Sequence, residues 1–137
     1  MNNKKYFITG GVGFLGSEII KLLLKNNSQI TCYDNVSRGS IDKLGKVFKD
    51  INFIEGDIRD EQKVIDSSKD CNSIIHLAFI NGTKNFYKYP TEVLDVGVKG
   101  MVNIVDGCIK NNIKELILAS SSEVYRSEEH TSELQSH

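Results

Sequence analysis

The sequence TGGVGFLG occupies Thr9–Gly16, with glycines three residues apart at Gly10, Gly13 and Gly16. It follows Lys5–Thr9, a short run rich in strand-forming residues, and it opens a segment whose apolar residues recur at helical spacing. A strand, a glycine turn and a helix in this order make up the first half of a βαβ unit. The early glycines permit a sharp turn, Gly13 lets a phosphate group approach the main chain, and Gly16 lets the helix pack close to the sheet.

This turn predicts a site for the pyrophosphate of a dinucleotide. Main-chain N–H groups at the start of a helix attract anions, so we expect the turn and the first helical residues, Phe14 and Leu15, to contact the phosphates. A P-loop would need a lysine before its Ser or Thr, but Gly16 is followed directly by Ser17. A methyltransferase, or a glycine turn that binds no ligand, would share part of this pattern. The spacing of the glycines between a strand and a helix favours the dinucleotide.

An acidic residue follows the second predicted strand, as a dinucleotide site requires. Asp34 lies eighteen residues after Gly16, and Asn35 follows it. A carboxylate there accepts hydrogen bonds from both adenosine ribose hydroxyls and repels a 2′-phosphate, so we expect the cofactor to be NAD rather than NADP. Arg38 leaves NADP open, because a guanidinium in this loop either pairs with a phosphate or is simply solvated.

The same alternation of strands and helices runs along the rest of the chain. Short β-rich runs separate longer segments with helical periodicity, which is typical of an α/β protein with a parallel sheet. We predict a Rossmann-type doubly wound sheet, truncated after about five strands, within a single domain over residues 1–125. The predicted strands are Lys5–Thr9, Gln29–Tyr33, Ile51–Glu55, Ser73–Leu77 and Lys114–Ala119. The predicted helices are Phe14–Asn26, Ile41–Phe48, Glu61–Ser68 and Thr91–Asn111, with Pro90 in the first turn of the last one and a loop over Phe79–Tyr89.

Composition excludes several classes of protein. The 137 residues are 39% hydrophobic and 26% charged with a formal net charge of −1, so no polybasic surface favours nucleic acid or an anionic membrane. The three cysteines lie far apart without a CxxC pair, which argues against a zinc site or a disulfide scaffold and for reduced thiols. No signal-peptide core or membrane-spanning stretch is present, and no metal site is expected. We therefore expect a cytoplasmic protein.

Several further motifs occur in order along the chain, and together they resemble one family. With them, the chain is similar to the N-terminal part of an extended short-chain dehydrogenase/reductase, and specifically to the NAD-dependent nucleotide-sugar epimerase/dehydratase family, over residues 5–125. The motifs are Thr9–Gly16, Asp34-Asn35, Gly56–Asp60 (GDIRD), His76-Leu77-Ala78, Gly100–Asn103 and Leu118–Tyr125 (LASSSEVY).

The resemblance implies further cofactor contacts. Asp57 and the backbone of Ile58 would meet the amino edge of the adenine, with Asp57 accepting a hydrogen bond; Asp57 could instead cap the next helix. Leu77, Ala78 and Phe79 would pass beside the pyrophosphate and ribose of the cofactor.

The resemblance also implies an activity for the parent protein. It would oxidise a nucleotide-linked sugar by hydride transfer to NAD, and the transient keto-sugar would then be epimerised, dehydrated or decarboxylated. Ser121 would hydrogen-bond the reacting sugar hydroxyl, and Glu123 would help to transfer a proton. The alternative is a non-catalytic NAD(P)-binding sensor or scaffold of the same fold. Relatives often pair through helices like the predicted 91–111 helix, so a homodimer is expected there.

Three features depart from the family pattern. Members use a tyrosine followed four residues later by lysine as the catalytic base, but no tyrosine in this sequence has that partner, so we expect the chain alone to be inactive. Gly97 and Met101 stand where members often have asparagine and threonine. Residues 126–137 match the translation of a widely used sequencing-library adapter, and we interpret them as an artefactual tail.

Overall fold

The computed structural model describes residues 3–80 and 82–121 as five parallel strands with helices between them. The strands are β1 (Lys5–Thr9), β2 (Gln29–Asp34), β3 (Asn52–Glu55), β4 (Ser73–His76) and β5 (Glu115–Leu118). The helices are α1 (Phe14–Lys25), a 3-10 segment (Ile41–Asp50), α2 (Glu61–Ser67), α3 (Thr83–Lys88) and α4 (Pro90–Lys110). The predicted α/β sheet is confirmed, and the shared elements agree with their predicted bounds to within two residues.

The order of the strands places a crevice beside β1. The strand order is β3-β2-β1-β4-β5, so β2 and β3 lie on one side of β1 and β4 and β5 lie on the other. In open parallel sheets, ligands bind outside the carboxyl ends of the strands at this reversal. The carboxyl ends of β1 and β4 therefore border the expected site.

Two apolar clusters cover the two faces of the sheet. Phe7 and Ile8 are adjacent in β1 and fully buried on opposite faces, as strand geometry requires. Phe7 belongs to the cluster that includes Val64 of α2 and Ile104 of α4, whereas Ile8 packs with Ile20 of α1. Both faces of the sheet are thus shielded, which explains why its strands read as nearly continuous apolar runs.

Two predicted segments differ from the structure. The loop predicted over Phe79–Tyr89 is wrong in part, because α3 occupies Thr83–Lys88. The predicted short helix at Ile41 is a 3-10 segment interrupted at Gly45, where φ is 55° and ψ is −128°. A single turn or two of helix is too short for a hydrophobic period to appear in the sequence.

Two predictions fall on residues beyond the described part of the chain. Glu123 and the predicted tail over 126–137 lie outside the described residues. Within residues 3–80 and 82–121, no helix combines the length and the apolar character that crossing a bilayer requires.

A buried polar cluster joins the carboxyl ends of β1 and β4. The Thr9 hydroxyl oxygen accepts hydrogen bonds from the N–H groups of Leu77, at 3.0 Å, and Ala78, at 3.1 Å. The same oxygen lies 2.6 Å from Nδ1 of His76. Since its two acceptor sites are filled by N–H groups, the hydroxyl donates its hydrogen to Nδ1, and His76 carries its own proton on Nε2. This side-chain cluster fixes the entry to the loop that follows β4.

We predict that His76 makes stability fall between pH 7 and pH 5. Burial lowers the pKa of His76 from 6.5 to about 4, so the unfolded chain takes up a proton in this range while the folded chain does not. The free energy of unfolding should therefore drop by about 2 kcal/mol from this residue alone. Urea unfolding at both pH values measures the drop. His76→Asn retains an acceptor for Thr9 but cannot titrate, so an equal drop in this variant would contradict the prediction.

Candidate functional site

The glycine turn after β1 is pressed against the loop after β4. Gly10 has a φ of +70°, in the left-handed region, and its N–H donates to the carbonyl of Tyr33 at 2.9 Å. A Cβ on Gly10 would lie 2.9 Å from the backbone nitrogen of Ala78. Position 10 therefore requires glycine for both its backbone angle and its close approach to Ala78.

The later glycines of the turn leave the main chain bare where α1 begins. A Cβ on Gly16 would lie 2.7 Å from Cα of Gly11 and would also overlap the carbonyl of Gly10. A Cβ on Gly13 would have only the Gly10 carbonyl oxygen within 4 Å among the described residues, at 3.2 Å. Gly16 thus seats the helix against the turn, and Gly13 keeps one side of the turn open.

The first turn of α1 presents its N–H groups without a side-chain cap. Gly13 is the N-cap in extended conformation, and no side chain within the described ranges caps the helix. Phe14 and Leu15 are largely exposed, at 81% and 56%. A helix start that is accessible and uncapped can accept an anion, as predicted for the pyrophosphate.

Asp34 connects the end of β2 to this turn. Its side chain is buried, with 8% exposed, and Oδ2 accepts a hydrogen bond from the Val12 N–H at 3.1 Å. The second oxygen, Oδ1, accepts from the Val36 N–H at 2.8 Å. The carboxylate predicted to bind ribose is therefore adjacent to the glycine turn.

The loop after β2 closes over the same turn. The Ser40 N–H donates to the Val12 carbonyl at 3.2 Å, and Asn35 Oδ1 accepts from the Ser37 N–H at 3.1 Å. Arg38 is exposed on this loop. Asn35 thus shapes the loop, and Arg38 lies on its solvent side.

Asp57 follows β3 at the same edge of the sheet and is held by Arg59. Its carboxylate receives the Arg59 backbone N–H at 2.9 Å and the guanidinium at 2.7 Å from Nη2. These hydrogen bonds from Arg59 lower the pKa of Asp57, which keeps it an acceptor. The N-cap of α2 is Asp60, whose Oδ1 accepts from the Lys63 N–H at 3.2 Å, so Asp57 does not cap that helix.

Ile58 attaches the loop after β3 to α4. Its side chain is buried, and a Cβ on Gly100 would lie 2.8 Å from Cγ1 of Ile58. Its carbonyl accepts a hydrogen bond from Nδ2 of Asn103 at 2.9 Å. The Gly100–Asn103 motif therefore holds the loop that carries Asp57.

The loop after β4 brings Leu77, Ala78 and Phe79 to the crevice. Thr9 binds the first two through their backbone N–H groups, and Phe79 is half-exposed. A Cβ on Gly97 would lie 2.8 Å from Cε1 of Phe79. Glycine at position 97, where the family often has asparagine, therefore makes room for this ring.

The predicted catalytic position Ser121 is exposed at the end of the described chain, three residues after β5. The Ala119 N–H donates to the His76 carbonyl at 3.2 Å, so this segment continues beside β4 at the carboxyl edge. Glu123 lies outside the described residues.

Two contacts at the site are not predicted by the sequence. The Cys32 side chain packs directly against Gly11, so a Cβ at position 11 would overlap its sulfur. Burial raises the pKa of the Cys32 thiol to about 12. Arg59 holds Asp57 from two residues further along the GDIRD motif. The motif itself is the signal that could have pointed to Arg59, whereas nothing local pairs Gly11 with Cys32.

The glycine turn, the start of α1 and Asp34 together form a main-chain cradle of the kind predicted for a dinucleotide. The cradle consists of the bare main chain at Gly13 beside an uncapped helix start and a buried carboxylate, and Gly10 and Gly16 permit the close backbone packing that shapes it. Within the described residues, no group of three His, Cys, Asp or Glu side chains could hold a metal ion.

Comparison with known proteins agrees with this geometry. The family model described as "NAD dependent epimerase/dehydratase family" matches residues 6–137. The UDP-glucose 4-epimerase of Yersinia enterocolitica is 33% identical over 124 residues, covering 86% of this chain and 37% of that protein. The UDP-N-acetyl-alpha-D-glucosaminuronate decarboxylase of Bacillus cytotoxicus is 31% identical over 122 residues, covering 89% and 38%.

A solved structure extends the likeness to the fold. The crystal structure of UDP-glucose 4-epimerase from Brucella ovis in complex with NAD superposes with a TM-score of 0.80 at 26% identity, covering 89% of this chain and 37% of that one. The chain therefore spans 37–38% of the length of each of these three relatives.

We predict that Gly16→Ala destabilises the fold by about 2 kcal/mol or more. Alanine improves helix propensity by about 1 kcal/mol, but here its Cβ overlaps backbone atoms of Gly10 and Gly11 that cannot move aside cheaply. Urea unfolding measures the change. Gly107→Ala is the matched control in α4, because a Cβ there meets only side chains, the nearest being Ser68 Oγ at 3.2 Å. That variant should stay within about 1 kcal/mol of the wild type, and equal effects at both positions would contradict the prediction.

Proposed function

We propose, from the premise that this chain belongs to the NAD dependent epimerase/dehydratase family, that it binds NAD as the dinucleotide-binding part of a nucleotide-sugar epimerase, dehydratase or decarboxylase. The observation that carries the proposal is the contact between Asp34 and the glycine turn. This contact brings a carboxylate next to the main-chain cradle, which supports a ribose site beside a phosphate site. Gly10, Gly13, Gly16, Phe14 and Leu15 would hold the pyrophosphate.

The acceptor capacity of Asp34 supports NAD over NADP. A carboxylate offers about four acceptor sites, and backbone N–H groups take one on each oxygen. One site on each oxygen remains, which matches the two hydroxyl donors of an unmodified adenosine ribose. A 2′-phosphate would remove one donor and bring a negative charge against this carboxylate.

The remaining cofactor contacts are proposed from their places at the same edge. Asp57 and the backbone of Ile58 would meet the adenine, Asn35 and Arg38 would border the ribose, and Leu77, Ala78 and Phe79 would cover the pyrophosphate side. When bound, NAD supplies a hydride acceptor for the sugar. Ser121 would hydrogen-bond the reacting sugar hydroxyl, and Glu123 would serve proton transfer there.

A homodimer through α4 is proposed from its exposed apolar stripe. Four residues on one side of the helix, spaced four or seven apart, are each more than half exposed: Leu94, Val98, Val102 and Ile109. A stripe of this kind on one helix can pair with itself in a second copy about a two-fold axis. We also propose a reducing location such as the cytoplasm, supported by Cys32, Cys71 and Cys108 all being free thiols.

We predict that NAD raises the unfolding temperature of the chain and that NADP raises it less at the same concentration. A ligand that binds only the folded state stabilises it by about 2.7 kcal/mol at a hundred times its Kd. Repulsion from Asp34 should weaken NADP by about tenfold or more. Thermal unfolding followed by circular dichroism gives both shifts. A larger shift with NADP that disappears in Arg38→Ala would contradict the NAD assignment.

We predict that the chain is a dimer in solution and that Val98→Glu shifts it to monomer. A charge in the middle of the stripe would be buried without a partner in the dimer. Size-exclusion chromatography with light scattering gives the mass of each protein. Leu22→Glu, at an equally exposed apolar position on α1, should leave the dimer intact. A monomeric wild type would contradict the proposal. The stripe would then be left for a different partner or for a further part of a longer chain.

A further inference from the structure

We propose that Arg59 is a positioning residue, whose guanidinium fixes the Asp57 carboxylate to accept a hydrogen bond from the adenine amino group, with Asp95 of α4 as its anchor. This inference rests on the proposed NAD binding and goes beyond it, because it assigns base selectivity to a residue that need not touch the cofactor.

The guanidinium of Arg59 contacts the Asp57 carboxylate through two adjacent nitrogens, Nε and Nη2, an arrangement we call the fork. Nη2 lies 2.7 Å from Oδ2, and Nε lies 3.1 Å from Oδ1 and 3.2 Å from Oδ2. Two adjacent N–H groups directed at one carboxylate fix its plane, which a single ammonium group cannot do. The fork therefore determines the direction in which the remaining lone pairs of Asp57 point.

The far side of the guanidinium is anchored to α4. Nη1 of Arg59 donates to Oδ2 of Asp95 at 3.1 Å, and Lys99 reaches Oδ1 of Asp95 at 3.0 Å. Charges alternate in sign along the row Asp57, Arg59, Asp95 and Lys99. Arg59 therefore cannot rotate away from Asp57 without also leaving Asp95.

The backbone around Asp57 is held by separate contacts. The Tyr33 hydroxyl donates to the Asp57 carbonyl at 2.7 Å, and Asn103 binds the Ile58 carbonyl. These bonds remain when the side chain of Arg59 is changed. Loss of the fork should consequently leave the Asp57 carboxylate held only by the Arg59 backbone N–H, so that its plane is no longer fixed, while the loop keeps its path.

Asp57 keeps the capacity to bind a base. Its side chain is 36% exposed, and the three N–H groups of Arg59 leave at least one of its acceptor sites unfilled. An adenine amino group offers the donor that such a site needs. Hypoxanthine carries a carbonyl oxygen at that position, which a carboxylate repels. A correctly oriented Asp57 should therefore distinguish these two bases.

The test compares NAD with nicotinamide hypoxanthine dinucleotide, both titrated calorimetrically into the 137-residue chain. The variants are Arg59→Lys, which keeps the charge and loses the fork, and Asp95→Asn, which weakens the anchor only. Lys110→Met is the matched control, because the pair between Lys110 and Glu61 of α2 is also an ion pair of α4, but it lies at the far end of that helix, at 3.9 Å. Thermal unfolding without dinucleotide shows that each variant is folded.

We expect the wild type to prefer NAD by about tenfold or more, as a hydrogen bond to a charged acceptor allows. Arg59→Lys should reduce that preference to about threefold or less by weakening NAD alone, with Asp95→Asn intermediate and Lys110→Met unchanged. Equal weakening of both dinucleotides by Arg59→Lys, at the wild-type ratio, would show a merely structural residue and overturn the inference.

The failures of the two proposals can be told apart. If the wild type takes up neither dinucleotide, the proposed function itself fails, and this inference fails with it. If it binds both dinucleotides with equal affinity, NAD binding stands, but Asp57 does not read the base and the inference is overturned. A preference that survives in Arg59→Lys overturns the inference alone.

Discussion

The hydrogen bond from the Val12 N–H to the Asp34 carboxylate is the contact on which the site depends. A buried carboxylate is costly unless donors satisfy it, and here both donors are backbone N–H groups, from Val12 and Val36. The bond therefore stabilises the fold and also fixes the glycine turn relative to the end of β2. Contacts within the protein alone hold the turn in this position, which reduces the ordering that binding would require.

A second polar contact holds the opposite side of the turn. The Thr9 hydroxyl binds Leu77 and Ala78, and Gly10 packs directly on Ala78. Asp34 and Thr9 thus secure the turn to the strands on either side of β1. Neither contact touches the open side of Gly13, which is the side where the proposed pyrophosphate would bind. The turn is therefore held rigidly and stays accessible at Gly13, because Asp34 and Thr9 contact it from beneath.

The sequence predicts what is local and misses what is long-range. Glycine spacing and helical period locate β1, the turn and α1, because each depends on neighbours within a few residues. The cluster of Thr9 and His76 joins residues 67 positions apart, and the anchor of Arg59 on Asp95 spans 36 positions. No period marks such pairs, and only the topology β3-β2-β1-β4-β5 brings them together. The GDIRD motif is enough to single out Asp57, whereas the link from Arg59 to α4 exists only in three dimensions.

The glycines of α4 show how the helix supports the site. Each costs about 1 kcal/mol of helix propensity relative to alanine, so a long helix retains them only where a neighbour needs the space. Gly97 faces the Phe79 ring, and Gly100 faces the Ile58 side chain. These side chains come from the loops after β4 and β3, which both border the proposed cofactor site. Helix α4 thus supports both loops. The helix propensity lost at its glycines is offset by the close packing that holds the loops in place.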